Sequence, residues 1–327
     1  MFEIGTHSDG MNMDGLDDVS RGTKGPCSHV THHIRRYLDL EVGSVPGSDS
    51  ACMFAFGQSC VSAELVSCHA DHHSSVPIPV YSDSRVPGWV GEGTVVIIVS
   101  YTGEETEVRT IIDEMSSRGC RLFCITSDES LARFCEGCCC DVFMLPSGMD
   151  PEEATYCEIP ILCNIVQSAG FSDASDRLHG LLDELERFEE SISGSQVVSD
   201  IRAHLEGSMP AVYGTSDVRA ACLRWKVNLD SRGVVAFHGE LPEFDHNELV
   251  GWFDPNLHAP ELRIIVLNGP TTSGLLDFIV GSMVDILENE GRPVMYIDLG
   301  EKADPLYKNL RGMILADVAV GSRGGWI

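Results

Sequence analysis

The chain has 327 residues, 43% of them hydrophobic and 22% charged, which suits two domains of ordinary size and excludes a disordered chain. With 50 acidic and 22 basic residues the formal net charge is −28, which argues against nucleic acid or an anionic membrane surface as partner, since both need a cationic footprint. The 13 cysteines are odd in number and the opening M-F-E-I-G-T-H-S-D-G lacks a secretory pattern, so reduced thiols in a cytoplasmic protein are expected; no apolar run approaches the roughly 18 residues of a membrane span.

Residues 1–25, rich in Gly, Asp and Ser without periodicity, read as a loose arm. A-C-M-F-A-F-G (51–57) reads as a strand, followed by a helix through residue 68. V-P-I-P-V-Y-S (76–82) and T-V-V-I-I-V-S-Y (94–101) are the next strands. Val108, Ile111, Ile112 and Met115 then fall at helical spacing in a helix from about Glu105 to Arg118. R-L-F-C-I-T-S (121–127) and D-V-F-M-L-P (141–146) are further strands. Residues 151–206 read as mainly helical, with breaks at A-G-F-S-D-A-S-D (169–176) and S-G-S (193–195). The strand pattern then restarts at M-P-A-V-Y-G (209–214), followed by a helix to about Asp230. Strands follow at V-V-A-F-H (234–238), L-R-I-I-V-L-N-G (262–269) and P-V-M-Y-I-D-L (293–299), with helices at about 274–290 and 304–317. Continuous apolar strands alternating with helices imply parallel sheets covered on both faces. The restart is a weak internal duplication with a boundary between residues 193 and 207.

Ligands of open parallel sheets sit beyond the carboxyl ends of the strands. Three turns there place glycine and hydroxyl residues before a helix: F-G-Q-S (56–59), S-Y-T-G (100–103) and Y-G-T-S (213–216). Free N–H groups and the positive dipole end favour phosphate at such turns, although each alone also reads as an ordinary N-cap. In L-P-E-F-D-H-N-E-L-V-G-W (241–252), His246 stands near Glu243, Asp245 and Glu248. A histidine so flanked suits proton transfer near neutral pH; a solvated turn is the plainer alternative.

The order of these pieces resembles the bifunctional phosphoglucose/phosphomannose isomerases, built from two sugar isomerase (SIS) domains. F-G-Q-S resembles their G-G-S turn, and residues 76–107 resemble their second and third strands and phosphate loop. L-P-S-G-M-D-P-E-E-A (145–154) resembles P-x-G-x-Q-P-R-A-A, and R-W-K (224–226) followed by P-E-F-D-H-N-E-L-V-G-W is the most specific match. The resemblance runs from about residue 30 to the C-terminus. It implies an α/β protein whose SIS domains span residues 26–195 and 205–327, each a mostly parallel sheet flanked by helices in a flavodoxin-like three-layer sandwich. It also implies aldose–ketose isomerisation of glucose 6-phosphate or mannose 6-phosphate with fructose 6-phosphate through a cis-enediol, without metal or cofactor. Gly57, Ser59, Ser100, Thr102 and Thr106 fall on the loops that hold the sugar phosphate. His246 matches the ring-opening or proton-relay histidine, which in this family enters the neighbouring subunit's site, so a homodimer is expected.

Four departures stand at functional positions. The family loop S-Y-S-G-N-T-E-E-T reads S-Y-T-G-E-E-T-E-V here, so the phosphate-binding threonine becomes Glu105 and the hydroxyl of Thr106 is displaced by one residue. A carboxylate about 4 Å from a phosphate costs on the order of 4 kcal/mol per charge pair at an effective dielectric near 20. The arginine of P-R-A-A becomes Glu152. The base, a glutamate in an N-E-N stretch, is expected at Asp230, sixteen residues before His246, in a segment one residue shorter than in relatives. The chain ends at V-G-S-R-G-G-W-I, before the family's lysine-bearing helix; Lys302 and Lys308 lie earlier. A SIS protein that binds a phosphosugar or a protein partner without turnover is therefore the alternative to an isomerase.

Three further features stay outside this assignment. F-C-E-G-C-C-C-D (134–141) has one C-x-x-C pair and no second at zinc-ligand distance, so structural cysteines are expected. C-H-A-D-H-H (68–73) is expected in a surface loop with adventitious metal affinity at most. D-E-L-E-R-F-E-E (183–190), with Leu181, Leu182, Leu185 and Phe188 at helical spacing, reads as the solvated face of a packed helix.

Overall fold

The structure is a computed structural model that describes residues 30–45, 47–103, 106–252 and 262–321. The expected arm (1–25) and the terminal S-R-G-G-W-I lie outside the described residues, as do Glu104 and Glu105. After helix α1 (Val30–Leu38), the first sheet contains β1 (Ser50–Ala55), β2 (Val80–Tyr81), β3 (Thr94–Val99), β4 (Arg121–Thr126) and β5 (Cys140–Met144). All pairs are parallel, in the order β2-β1-β3-β4-β5. Its helices are α2 (Ser59–His73), α3 (Thr106–Ser117), α4 (Glu129–Glu136) and α5 (Pro151–Ser168). Helices α6 (Ala174–Ile192) and α7 (Gln196–Leu205) lead into the second half. There β6 (Met209–Thr215), β7 (Phe237–Leu241), β8 (Leu262–Asn268) and β9 (Val294–Asp298) form a parallel sheet ordered β7-β6-β8-β9. Helices α8 (Arg219–Ser231), α9 (Glu243–Asn247), α10 (Leu249–Trp252), α11 (Gly274–Asn289) and α12 (Pro305–Val320) accompany it.

Strand periodicity sets the layers. Successive side chains point to opposite faces, so an all-apolar strand feeds two cores at once. Val95, Ile97 and Val99 of β3 enter a central core, while Val96 and Ile98 pack outward with Val108, Ile111 and Leu131 of α3 and α4. The second sheet repeats the device. Val212, Ile265 and Leu267 enter the same central core, whereas Ala211, Ile264 and Val266 face Val280, Met283 and Val284 of α11. The central core thus lies between the two sheets and contains residues of α1, α2, α5, α6, α7, α8 and α12. Trp225 of α8, fully buried, donates Nε1–H to the Gly312 carbonyl of α12 at 3.0 Å. A Cβ on Gly312 would stand 2.7 Å from the Ala221 Cβ, so this close helix approach requires glycine.

Three expectations change. The strand expected over 76–82 shrinks to Val80–Tyr81, because Pro77 and Pro79 offer no N–H to a ladder; the Pro79 carbonyl still accepts from Met53 N at 2.9 Å. The strand expected over 234–238 begins three residues later, at Phe237. Val234 N–H is spent on the Leu229 carbonyl (3.0 Å) and Ala236 N–H on Asp230 Oδ1 (3.2 Å), closing the end of α8. C-H-A-D-H-H is no loop: it forms the last turns of α2. The sequence reading also left α1 unassigned, although Ile34, Tyr37 and Leu38 are buried. The acidic run of α6 does present a packed face, with Leu181, Leu182 and Leu185 buried and the Arg311 guanidinium 3.7 Å over the Phe188 ring.

His69 follows from that correction. It is fully buried, stacks on His73 at 4.8 Å, and neither ring nitrogen has a hydrogen-bond partner among the described residues. Burial, then the neighbouring His73 and Arg177, push its imidazole down to about 4 against the opposing pull of Asp304 and Asp173. The unfolded chain therefore takes up this proton first, and stability present above pH ~6.5 is lost as pH falls toward ~4. We expect His69→Phe to reduce the loss of unfolding free energy between pH 7 and pH 5 by about 2 kcal/mol, read by urea denaturation at both pH values. An unchanged difference between the two pH values would dismiss this assignment.

Candidate functional site

The carboxyl ends of β1 and β3 lie side by side, joined by Phe56 N–H to the Val99 carbonyl at 3.3 Å. Gly57 turns the chain there with φ +59°. The N–H groups of Ser59, Cys60 and Val61 are spent on the carbonyls of Phe56, Gly57 and Gln58. Ser59 is buried, and its Oγ donates to Glu158 Oε1 of α5 at 2.7 Å. Ser62 Oγ lies 2.6 Å from Glu158 Oε2. Glu158 is 1% exposed, and burial raises its carboxyl above the usual range despite the serine hydroxyls and Arg224.

The S-Y-T-G turn is held by its own side chains. Ser100 Oγ is buried and accepts Gly103 N–H at 3.2 Å. Gly103 has φ +64°, and a Cβ there would stand 2.6 Å from the Asp128 Cβ, so glycine is required twice over. Tyr101 Oη donates to the Pro146 carbonyl (2.9 Å) and accepts Met149 N–H (2.8 Å), tying this turn to the segment before α5. Thr102 and Thr106 are exposed. Glu105, the first expected departure, lies outside the described residues.

Helix α8 crosses to this place from the second sheet's side. Arg224, 1% exposed, reaches Gln58 Oε1 (3.4 Å) and the Glu152 carbonyl (2.9 Å). Its charge is met by Asp317 of α12 through Nε–Oδ1 (2.7 Å) and Nη2–Oδ2 (2.8 Å). Tyr156 Oη (2.6 Å) and Asn228 Nδ2 (2.7 Å) also donate to Asp317. Glu152, where a cation was expected from the resemblance, is paired. Arg232 grips its carboxylate with Nη1–Oε1 at 3.2 Å and Nη2–Oε2 at 3.1 Å, and Ser231 Oγ adds a bond at 3.3 Å. The turn F-G-Q-S, Glu152 and the R-W-K helix are therefore brought together.

Asp230 and His246 are not part of that gathering. Asp230 accepts from Lys226 Nζ and from Ala236 N–H, away from the Arg224–Asn228 face of α8. His246 is exposed on α9. Its helix is anchored by Phe244, buried against Tyr213 at 4.7 Å between ring centroids. Just after the third turn, Y-G-T-S, Asp217 meets a lysine: Lys308 of α12, fully buried, donates to Asp217 Oδ2 and the Pro270 carbonyl, both at 3.0 Å. Asp217 Oδ1 faces His72 Nε2 at 3.1 Å. Among the described residues no three His, Cys, Asp or Glu side chains are placed to hold a metal ion, and no helix is long and apolar enough to cross a membrane. Cys124, Cys135 and Cys140 are buried in the outer core of the first sheet.

Sequence reasoning missed Glu158, Asp317 and Arg232. The first two had a legible signal, each being a lone acid inside an apolar helical run, T-Y-C-E-I-P-I-L (155–162) and I-L-A-D-V-A-V (314–320). Arg232 had none, because its partner is 80 residues away.

Two outcomes test these contacts. Asp317→Asn strands the Arg224 charge and is expected to lower stability by about 3–5 kcal/mol, against about 1 kcal/mol for Tyr156→Phe, in chemical denaturation. Equal losses would refute the role given to Asp317. Glu152→Arg sets two cations together and is expected to cost about 2–4 kcal/mol; adding Arg232→Glu recovers at least half of it. A strictly additive double variant counts against the pair.

Known proteins agree with this architecture. Residues 199–320 match the bacterial phospho-glucose isomerase C-terminal SIS domain. The bifunctional phosphoglucose/phosphomannose isomerase of Caldicellulosiruptor bescii is 25% identical over 228 residues, 67% of this chain and 67% of the relative. That of Aquifex aeolicus is 28% identical over 217 residues, 65% of each. Among solved structures, the C-terminal domain of glucosamine-fructose-6-phosphate aminotransferase from Francisella tularensis shares the fold at a TM-score of 0.62 and 13% identity, covering 89% of this chain and 91% of that one. Glucosamine-6-phosphate deaminase from Thermotoga maritima does so at 0.60 and 11%, covering 89% and 92%. Over residues 199–320 the chain thus resembles a bacterial phosphoglucose isomerase C-terminal SIS domain, and over about two thirds of its length it is similar to bifunctional phosphoglucose/phosphomannose isomerases.

Proposed function

We propose that the chain is a sugar-phosphate isomerase, interconverting glucose 6-phosphate or mannose 6-phosphate with fructose 6-phosphate between its two sheets. The observation that carries this reading is Arg224, which joins the F-G-Q-S turn to the start of α5 from the second sheet's helix layer. It is supported by the names of the curated relatives. The reaction moves a proton between C1 and C2 through a cis-enediol and needs a base, a ring-opening group and stabilisation of the developing oxyanion. In this reading Gly57, Ser59, Ser100, Thr102 and Thr106 receive the phosphate, Asp230 is the base, and His246 opens the ring across a cytoplasmic homodimer.

One observation favours a second reading, a protein that binds a phosphosugar or a partner without turnover. The Asp230 carboxylate is engaged by Lys226 and by Ala236 N–H, and its helix face differs from that of Arg224. A coupled assay with the three hexose 6-phosphates, run beside thermal melts, separates the two. Turnover that drops at least a hundredfold in Asp230→Asn and His246→Ala is the expected result for the isomerase. Stabilisation by the sugars with no turnover at high protein concentration selects the phosphosugar-binding protein, and the absence of both effects leaves only a structural or partner-binding role.

A further inference from the structure

Glu158 is a carboxyl with no solvent and a proton count that does not close in its charged form. Ser62 Oγ stands 2.8 Å from the Ser59 carbonyl and 2.6 Å from Glu158 Oε2, two acceptors for the one proton a hydroxyl carries. A proton on Oε2 resolves this: Glu158 donates to Ser62, and Ser62 donates to the Ser59 carbonyl. Ser59 Oγ, 2.7 Å from Oε1, then faces a neutral carbonyl rather than a carboxylate. Hydrogen bonds to a charged acceptor are roughly twice as strong as neutral ones, so ionised Glu158 would compete for the Ser59 proton and neutral Glu158 would release it. The backbone donors of Ser59, Cys60 and Val61 are already spent. Of the donors that these three residues could offer a phosphate dianion, the Ser59 hydroxyl is the one whose direction Glu158 sets.

We propose that Glu158 is a positioning residue for the F-G-Q-S turn: protonated, it frees the Ser59 hydroxyl for a phosphate group, and ionised, it holds that hydroxyl inward and repels the anion. The inference rests on the phosphosugar reading of this turn. At a pH where the free protein holds Glu158 ionised, phosphate binding then draws up to one proton from solvent onto it. The groups facing Glu158 leave its charge without a direct counter-ion among the described residues. They are Ser59, Ser62 and Cys60 from α2, Arg224 from α8, Tyr101 from the β3 turn and Cys157 on its own helix. Arg224 is nearest in effect, and its guanidinium is already forked onto Asp317. Burial raises the carboxyl in the direction this requires.

The test is isothermal titration of fructose 6-phosphate and, separately, inorganic phosphate into the full chain between pH 6 and 8.5, in buffers of different ionisation heat. Glu158→Gln is the comparison, since its amide keeps an acceptor for Ser59 and a donor for Ser62; the ligand's own titration cancels between the two proteins. Wild type is expected to take up more protons than the variant, by an amount approaching one per phosphate, and to lose affinity faster with rising pH, by up to about tenfold per pH unit. Should Glu158→Gln fail to fold, Ser59→Ala carries the comparison and must abolish the excess proton uptake. Fructose 6-phosphate bound with identical pH dependence in both proteins overturns the proposal and leaves the phosphosugar reading standing. Proton-linked binding of inorganic phosphate without preference for the sugar supports the proposal and sinks that reading. Binding of neither ligand overturns both.

Discussion

The buried charge of Arg224 is the constraint on which the junction of the two sheets depends. A guanidinium with 1% exposure is tolerable only when its donors are met, and Asp317 meets two of them in a fork. The same carboxylate accepts from Tyr156 and Asn228, so one side chain of α12 fixes α5 and α8 together. Loss of a partner in such a network costs more than the pair contributes, because the remaining charge stays buried.

That arrangement explains why the two halves share a core rather than touching at a surface. Helices α2, α5, α8 and α12 lie between the sheets and contribute to one continuous apolar cluster. Each sheet keeps a separate outer core beneath α3 and α4 or beneath α11. The ends of β1 and β3 consequently open toward helices of the other half, and Arg224 can reach Gln58 without a long loop.

Charged groups at this junction are matched by partners of opposite sign. Glu152 would be a largely buried anion without a partner, yet Arg232 and Ser231 receive it. Lys308, similarly, would be costly at zero exposure without Asp217 and the Pro270 carbonyl. Such pairing holds a fold together without specifying a reaction, and fold alone does not assign an activity.

The sequence by itself determined the class of fold and the order of its pieces. Runs such as T-V-V-I-I-V carry their burial on both faces in their composition, and Gly103 and the hydroxyls of S-Y-T-G mark their turn locally. It also placed F-G-Q-S and R-W-K as features worth following. Where the pattern was local but competed for, it misled: Val234–Ala236 look like a strand, yet the N–H groups of Val234 and Ala236 close the end of α8. Only the tertiary structure decided which charges meet. Glu152 with Arg232, Arg224 with Asp317 and Ser59 with Glu158 are separated by 80, 93 and 99 residues. Periodicity reports which side of an element is buried, whereas the partner of a buried charge is set by how elements far apart in the chain are stacked.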